Sequence, residues 1–255
     1  MTQDLTLRIV RALEYHRDRR WNYPAVMYPY NTLYFVLGGD GHIRLGDNII
    51  DLQPGFVYLI PPHVCHDVWC DTHVDKMYAD VHAELLPGYD VFSGTNSVLS
   101  RHVGLDFCRR MCHLCQDGLR NRLTLQGELA LIMADFLDNE PKHISAKMLT
   151  FLPLVTYIQQ HLSAQLRRDQ IAAHFGWNPS SLSRAFKQAF DCTLKQYIEK
   201  LLTARLAQEL ISTSKTLQQL ASEYQFCDEY YLSAFFKRNL GLSPQKYRSN
   251  YSSQW

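Results

Sequence analysis

Apolar positions along the chain follow three successive rhythms. Between residues 20 and 85 they come as short runs divided by turn residues. Leu33-Tyr34-Phe35-Val36-Leu37 is rich in aromatic and β-branched side chains, which suit a pleated surface. Gly38-Gly39-Asp40-Gly41 reads as a turn, His42-Ile43-Arg44-Leu45 alternates, and Gly46-Asp47-Asn48 reads as a second turn. Ile49-Ile50-Asp51-Leu52 runs into Gln53-Pro54-Gly55, and Phe56–Ile60 is stopped by Pro61-Pro62. Val74 to His82 offers one more strand. Short strands at this spacing predict an all-β sandwich or barrel.

From about Val98 the period becomes helical. Val103, Phe107, Met111 and Leu114 fall on one face, and Leu125, Leu129, Ile132, Met133, Phe136 and Leu137 form a second stripe. This helical hairpin could pack on its own barrel or serve a dimer interface; the stripe fits both. Asp138-Asn139-Glu140-Pro141-Lys142 breaks the helix and reads as a linker. Beyond it every segment has helical spacing. Pro153 can open a helix whose inner face is Leu154, Tyr157, Ile158 and Leu162, and a long helix is expected around Leu194–Ile211.

The third rhythm is a repeat. Leu182-Ser183-Arg184-Ala185-Phe186-Lys187 lines up with Leu232-Ser233-Ala234-Phe235-Phe236-Lys237 at an offset of 50 residues, and Ile171-Ala172 with Leu220-Ala221 at 49. Each copy is a short helix, a tight break and a second helix, the outline of a helix-turn-helix. In the first, Gly176 supplies the turn, Asn178 can cap and Pro179 suits the first helical position. Leu182, Phe186 and Phe190 form an apolar back, leaving Ser180, Ser181, Arg184, Lys187 and Gln188 outward. In the second, Asp228 caps and Leu232, Phe235, Phe236 and Leu240 pack, leaving Glu229, Tyr230, Ser233, Ala234, Lys237 and Arg238 outward. Polar and cationic residues on an apolar-backed helix are what base edges and phosphates require.

Charge sharpens the division. Residues 151–255 carry 12 Lys/Arg against 7 Asp/Glu, and residues 1–150 carry 14 against 18. A basic half joined to an acidic half suits a nucleic-acid binder with a separate sensing module. Seven Cys without a scaffold spacing, and no signal-peptide or membrane-span pattern, lead us to expect reduced thiols in a cytoplasm.

Residues 166–248 resemble the DNA-binding domain of the AraC/XylS family of bacterial transcription regulators. The resemblance is carried by Ile171-Ala172, Gly176, Pro179-Ser180, Leu182-Ser183-Arg184 and Phe186-Lys187. In the second copy it rests on Phe226, Asp228, Tyr231-Leu232-Ser233, Phe235-Phe236-Lys237, Gly241-Leu242-Ser243-Pro244 and Tyr247-Arg248. It implies two helix-turn-helix units joined by a connecting helix, with recognition helices in successive major grooves. The chain departs from the family at Gln225, where Gly is usual, at Asp191 and Leu194, where Gly and Pro are usual, and at Leu202 and Leu206 in the connecting helix. A left-handed Gln225 would cost roughly 1 kcal/mol relative to Gly.

Residues 20–85 resemble, more loosely, the cupin-like barrel found N-terminally in such regulators. Metal-binding cupins carry a His-x-His pair, and none occurs here; no metal or other cofactor is expected. The resemblance implies a small-molecule effector site, for which Tyr23, Tyr28, Tyr34, His66 and Trp69 are the candidates, aromatic faces suiting carbohydrates.

These readings predict an α+β chain of two domains. Residues 1–140 form a cupin-like β-barrel with a helical hairpin, for effector sensing and dimerisation; 141–150 form a linker. Residues 151–255 form an all-α DNA-binding domain of two helix-turn-helix units and a connecting helix. The function expected is a ligand-responsive activator of a metabolic operon, carbohydrate use favoured, acting as a homodimer on double-stranded DNA with RNA polymerase. No catalytic residues, enzymatic activity or membrane association are expected. The alternative is a redox- or metal-responsive regulator with the same output, using Cys108, Cys112 and Cys115, which lie at helical spacing and equally suit a buried helix face.

Overall fold

The computed structural model describes residues 5–137 and 146–252. The chain divides into two units, one of Met1–Glu84 and Asp90–Lys142, the other of Leu85–Tyr89 and His143–Trp255.

The first unit holds a helical hairpin and an eight-stranded antiparallel sheet, of which only the strand ends within Leu85–Tyr89 are assigned to the second unit. Its strands are β1 (Thr6–Asp18), β2 (Asn22–Val26), β3 (Asn31–Leu45), β4 (Asn48–Asp51), β5 (Phe56–Ile60), β6 (His66–Leu86), β7 (Tyr89–Asp90) and β8 (Leu99–His102). The order is β1-β6-β3-β5-β8, with β2 and β7 also on β6 and β4 on β3. The runs and turns predicted an all-β unit, and the sheet is cupin-like, as the resemblance implied.

Three details differ from the sequence reading. β1 was not foreseen, because most of its residues are half-exposed and only Tyr15 is buried. Residues 99–102, read as the onset of helical structure, form β8. Gly38–Gly41, read as a turn between two strands, is a bend within the single strand β3. The β3–β6 ladder runs through it, from Asn31 opposite Val81 to Arg44 opposite Asp67, with register shifts on either side of Gly39. Gly39 has φ 93°, and a Cβ there would lie 2.3 Å from the His73 carbonyl oxygen. Glycine therefore permits the close crossing of two bent strands rather than a chain reversal.

The hairpin consists of α1 (Leu105–Leu114) and α2 (Leu119–Leu137). α1 packs on β3 and β5, with Phe107 6.2 Å from Phe35, and α2 contacts β1. The expected stripe Leu125, Leu129, Ile132, Met133 and Phe136 is buried within this unit. A different apolar line on α2, at Leu119, Leu123 and Leu131, is exposed.

The second unit is helical: α3 (Ala146–Leu149), α4 (Leu152–Gln160), α5 (Arg168–His174), α6 (Pro179–Phe190), α7 (Leu194–Ser212), α8 (Leu217–Glu223), α9 (Glu229–Leu240) and α10 (Pro244–Ser252). Residues 138–145, with the expected linker break, lie outside the described residues. α3 falls within the last residues of that expected linker, and Met148 is buried in the helical core beside Phe151 and Leu154. α7 is the connecting helix. Thr193 and Gln196 form a reciprocal capping box at its start, at 2.9 and 3.2 Å. Leu202 and Leu206, its departures from the family pattern, are both buried. Among the described residues no helix is long and apolar enough to cross a membrane.

Candidate nucleic-acid interface

The two helix-turn-helix units repeat atom for atom in their turns. In the first, Trp177 N–H donates to Ala172 O at 2.8 Å and Gly176 N–H to Ala173 O at 3.2 Å. In the second, Phe226 N–H donates to Ala221 O at 2.8 Å and Gln225 N–H to Ser222 O at 3.3 Å. Gly176 and Gln225 are both left-handed, at φ 66° and 56°. Ala172 and Ala221 are buried in each unit, and their small side chains let paired helices approach closely.

The recognition helices start on side-chain caps. Asn178 accepts from the N–H of Ser180 (2.9 Å) and Ser181 (3.3 Å), and Asp228 from Tyr231 N–H at 2.7 Å. Both end on left-handed residues, Asp191 (φ 53°) and Gly241 (φ 73°), whose N–H groups bond to Lys187 O and Lys237 O. In α6, Leu182, Phe186 and Phe190 are buried, whereas Ser180, Ser181, Arg184, Lys187 and Gln188 are exposed. In α9, Leu232, Phe235, Phe236 and Leu240 are buried, and Tyr230, Lys237 and Arg238 are exposed. Glu229 and Ser233 are only half-exposed, so they offer less reach than their sequence positions suggested.

An open cleft of about 1510 Å³ runs between the two heads. Ser180, Arg184 and Lys187 of α6 line it, with Arg238 and Tyr231 of α9. Arg167, Arg168 and Lys195 add positive charge. Sequence reasoning passed over Arg167, Arg168, Lys195 and Tyr231, because none lies on the outward face of a repeat copy as read from spacing. The doubled Arg at the start of α5 was the available signal. Arg238 is engaged from both sides: its guanidinium lies 3.8 Å from Glu199 of α7 and 5.5 Å from the Phe235 ring.

In the first unit the five effector candidates separate. Tyr34 is buried in an aromatic cluster with Tyr15, Trp21, Tyr58 and Tyr78, and Tyr23 packs against it. His66 is buried, its Nδ1–H donating to Val64 O at 2.9 Å. A carbonyl only accepts, so Nε2 is the acceptor nitrogen. That nitrogen is buried and unpartnered. Burial, reinforced by the charge of Lys76, lowers the pKa of His66. Tyr28 stacks on Tyr30 at 5.5 Å and meets His66 edge-on at 6.2 Å. Trp69 does not join them. It lies out of phase with buried Val68 and Cys70 on β6, and stacks on His42 at 5.0 Å with Arg44 beyond. Side chains of adjacent strand residues face opposite ways, which a tally of aromatics ignores.

Cys108 and Cys112 are buried on the inner face of α1, and Cys115 is half-buried. Burial pushes these thiols up to about 11, 12 and 11 respectively, so they stay protonated at neutral pH and lack thiolate reactivity. Among the described residues no cluster of His, Cys, Asp or Glu is arranged to hold a metal ion. The cysteines therefore lend no support to a redox or metal input.

Residues 171–250 match a family model described as a helix-turn-helix domain. The chain is 30% identical over 107 residues to the HTH-type transcriptional activator AarP of Providencia stuartii, covering 42% of this chain and 79% of AarP. It is 20% identical over 254 residues to the Msm operon regulatory protein of Streptococcus mutans, covering 91% and 88% of the two chains. Among solved structures it is similar in fold to ToxT from Vibrio cholerae O395, with a TM-score of 0.60 at 9% identity over 97% of this chain and 98% of ToxT. A ToxT structure with an unsaturated fatty acid bound gives 0.59 at 10% identity, over 96% and 94%. With both heads built on the residues that carry the family pattern, the chain belongs to the AraC/XylS family of DNA-binding transcription regulators.

Proposed function

We propose that this regulator is a ligand-responsive activator whose two recognition helices read successive major grooves on one side of the duplex. The observation that carries the reading is the pairing of heads across one cationic cleft lined by Arg184 and Lys187 of α6 and Arg238 of α9, with Lys237 also exposed on α9. Phosphates position such a protein and base edges specify its site. Arg184 is the base reader of the first head, its guanidinium suited to the paired acceptors of guanine. Lys187 and Lys237 hold phosphates. Binding-site selection with the full chain tests this. Two blocks of preferred bases about one helical turn apart are expected; a single block would overturn the two-head reading.

In this reading residues 1–140 sense a small molecule and dimerise, and residues 151–255, joined by α3, bind DNA. The inward-facing rings and the free acceptor of His66 suit a polyhydroxylated effector, and hence control of carbohydrate use. Activation implies recruitment of RNA polymerase. The exposed line on α2 comprises Leu119, Leu123 and Leu131, of which Leu123 and Leu131 lie four residues to either side of Gly127. An antiparallel pair of such helices is self-complementary, as a two-fold dimer requires.

A further inference from the structure

The two recognition helices share a back and differ in front. At the 50-residue offset Ser180, Ser181 and Arg184 of α6 correspond to Tyr230, Tyr231 and Ala234 of α9, and all six are exposed. They are the second, third and sixth residues of their helices, and the N-terminal part of a recognition helix is the part that meets base edges. One turn further on the copies agree again, with Lys187 and Lys237 both exposed.

The exchange runs in one chemical direction. At these three positions α6 offers two hydroxyls and a guanidinium, whereas α9 offers two phenol rings and a methyl. Tyr230 and Tyr231 are 78% and 52% exposed, so in the free protein their apolar faces stand in water and gain by being covered. Tyr231 is held in place: the Asp228 carboxylate accepts from its N–H at 2.7 Å, and its ring lies 6.0 Å from that of buried Phe226. Glu229 opens α9, and the helix carries no cation before Lys237. Its first two turns are therefore not built to hold phosphates. Ala234 has no polar group with which to address a base acceptor or donor. Among the groups that base pairs present in the major groove, the thymine C5-methyl is the apolar one.

We propose that the second head reads thymine methyl groups through Tyr230, Tyr231 and Ala234, where the first head reads hydrogen-bonding edges. The two half-sites then differ in chemistry, a guanine-containing block under α6 and a thymine-rich block under α9, and this difference fixes the direction in which the protein lies on its operator. The proposal rests on the reading that each head enters its own major groove, and names what the second one recognises.

Deoxyuridine tests it, because it keeps the hydrogen-bonding groups of thymine and lacks the methyl. Competition titrations use the full chain on its selected operator, with deoxyuridine replacing thymine in one block at a time. The block of the first head is the one whose base preference Arg184→Ala relaxes. Substitution in the other block should weaken binding about fourfold for each methyl contacted, the contribution of burying one such group, and substitution in the first block should leave affinity nearly unchanged. Tyr230→Ser, and Tyr230→Ser with Tyr231→Ser, give α9 the residues of α6 at exposed positions; they should shrink the deoxyuridine effect while leaving Tm in place. Deoxyuridine tolerated in the second block, or an effect there that both variants leave at full size, would overturn the proposal with the two-head reading still standing. Selection of a single block would sink both.

Discussion

Gly176 and Gln225 occupy the same left-handed position in the two helix-turn-helix turns, within 10° of each other in φ. The geometry belongs to the fold, and only one copy has the residue that adopts it freely. A left-handed non-glycine residue costs about 1–2 kcal/mol, and glycine's extra unfolded-state entropy returns part of that. Gln225→Gly should therefore stabilise the chain by about 1 kcal/mol in denaturant titration. Asp191→Gly, facing the same choice as its counterpart Gly241, should act in the same direction. A loss of stability at Gln225 would mean that its side chain makes up for the strain.

Arg184→Ala should weaken specific binding by about 1–3 kcal/mol and relax base preference at one position. Lys187→Ala or Lys237→Ala should instead weaken all sequences alike and lower the salt slope by about one counterion. Competition titrations at several salt concentrations separate these outcomes. Equal loss on all sequences for Arg184→Ala would reassign it to the phosphates.

Glu199 holds Arg238 at the cleft and also lies 4.0 Å from Lys195. Glu199→Gln should release both cations toward phosphate. Non-specific affinity should rise and the salt dependence steepen, narrowing the ratio of specific to non-specific binding. Weaker binding with an unchanged slope would show that Glu199 orients Arg238 productively.

Leu131→Glu places a charge on the exposed apolar line of α2. If that line pairs two copies, sedimentation should shift from dimer to monomer without loss of Tm, since Leu131 is not part of the unit's own core. A dimer that survives the change would move the interface elsewhere.

Asp90 is buried, and its carboxyl accepts from Ala83 N–H, Phe92 N–H and Asn31. Burial outweighs these bonds and pushes it up to about 7. The unfolded chain releases this proton near pH 4 and the folded chain near 7. The folded state therefore holds the extra proton between them, and the contribution of Asp90 to stability falls as pH rises through that window. Unfolding free energies from pH 4 to 8 should show this slope, and Asp90→Asn should flatten it. An unaltered slope would exclude Asp90 as its source.

The repeat was legible because both copies spend the same residue types on packing. Leu182 and Leu232, Phe186 and Phe236, and Ala172 and Ala221 are buried in corresponding places. The sheet was legible where apolar runs met turns, as at Phe56–Ile60. It misled where glycines bend a strand, since Gly38–Gly41 carries the same composition as a reversal. Buried Lys76 escaped notice because lysine is ordinarily a surface residue; only its register with Val74 and Tyr78 places it inside. Trp69 was misplaced for the converse reason, an aromatic counted without its register.

The central claim, two heads on one side of the duplex, is tested most directly by hydroxyl-radical footprinting of the full chain on its selected operator, with Arg184→Ala and Lys237→Ala beside the wild type. The account predicts two protected patches about one helical turn apart on one face, Arg184→Ala weakening one patch and Lys237→Ala the other. A single continuous patch, or two patches that both substitutions erode together, would contradict it.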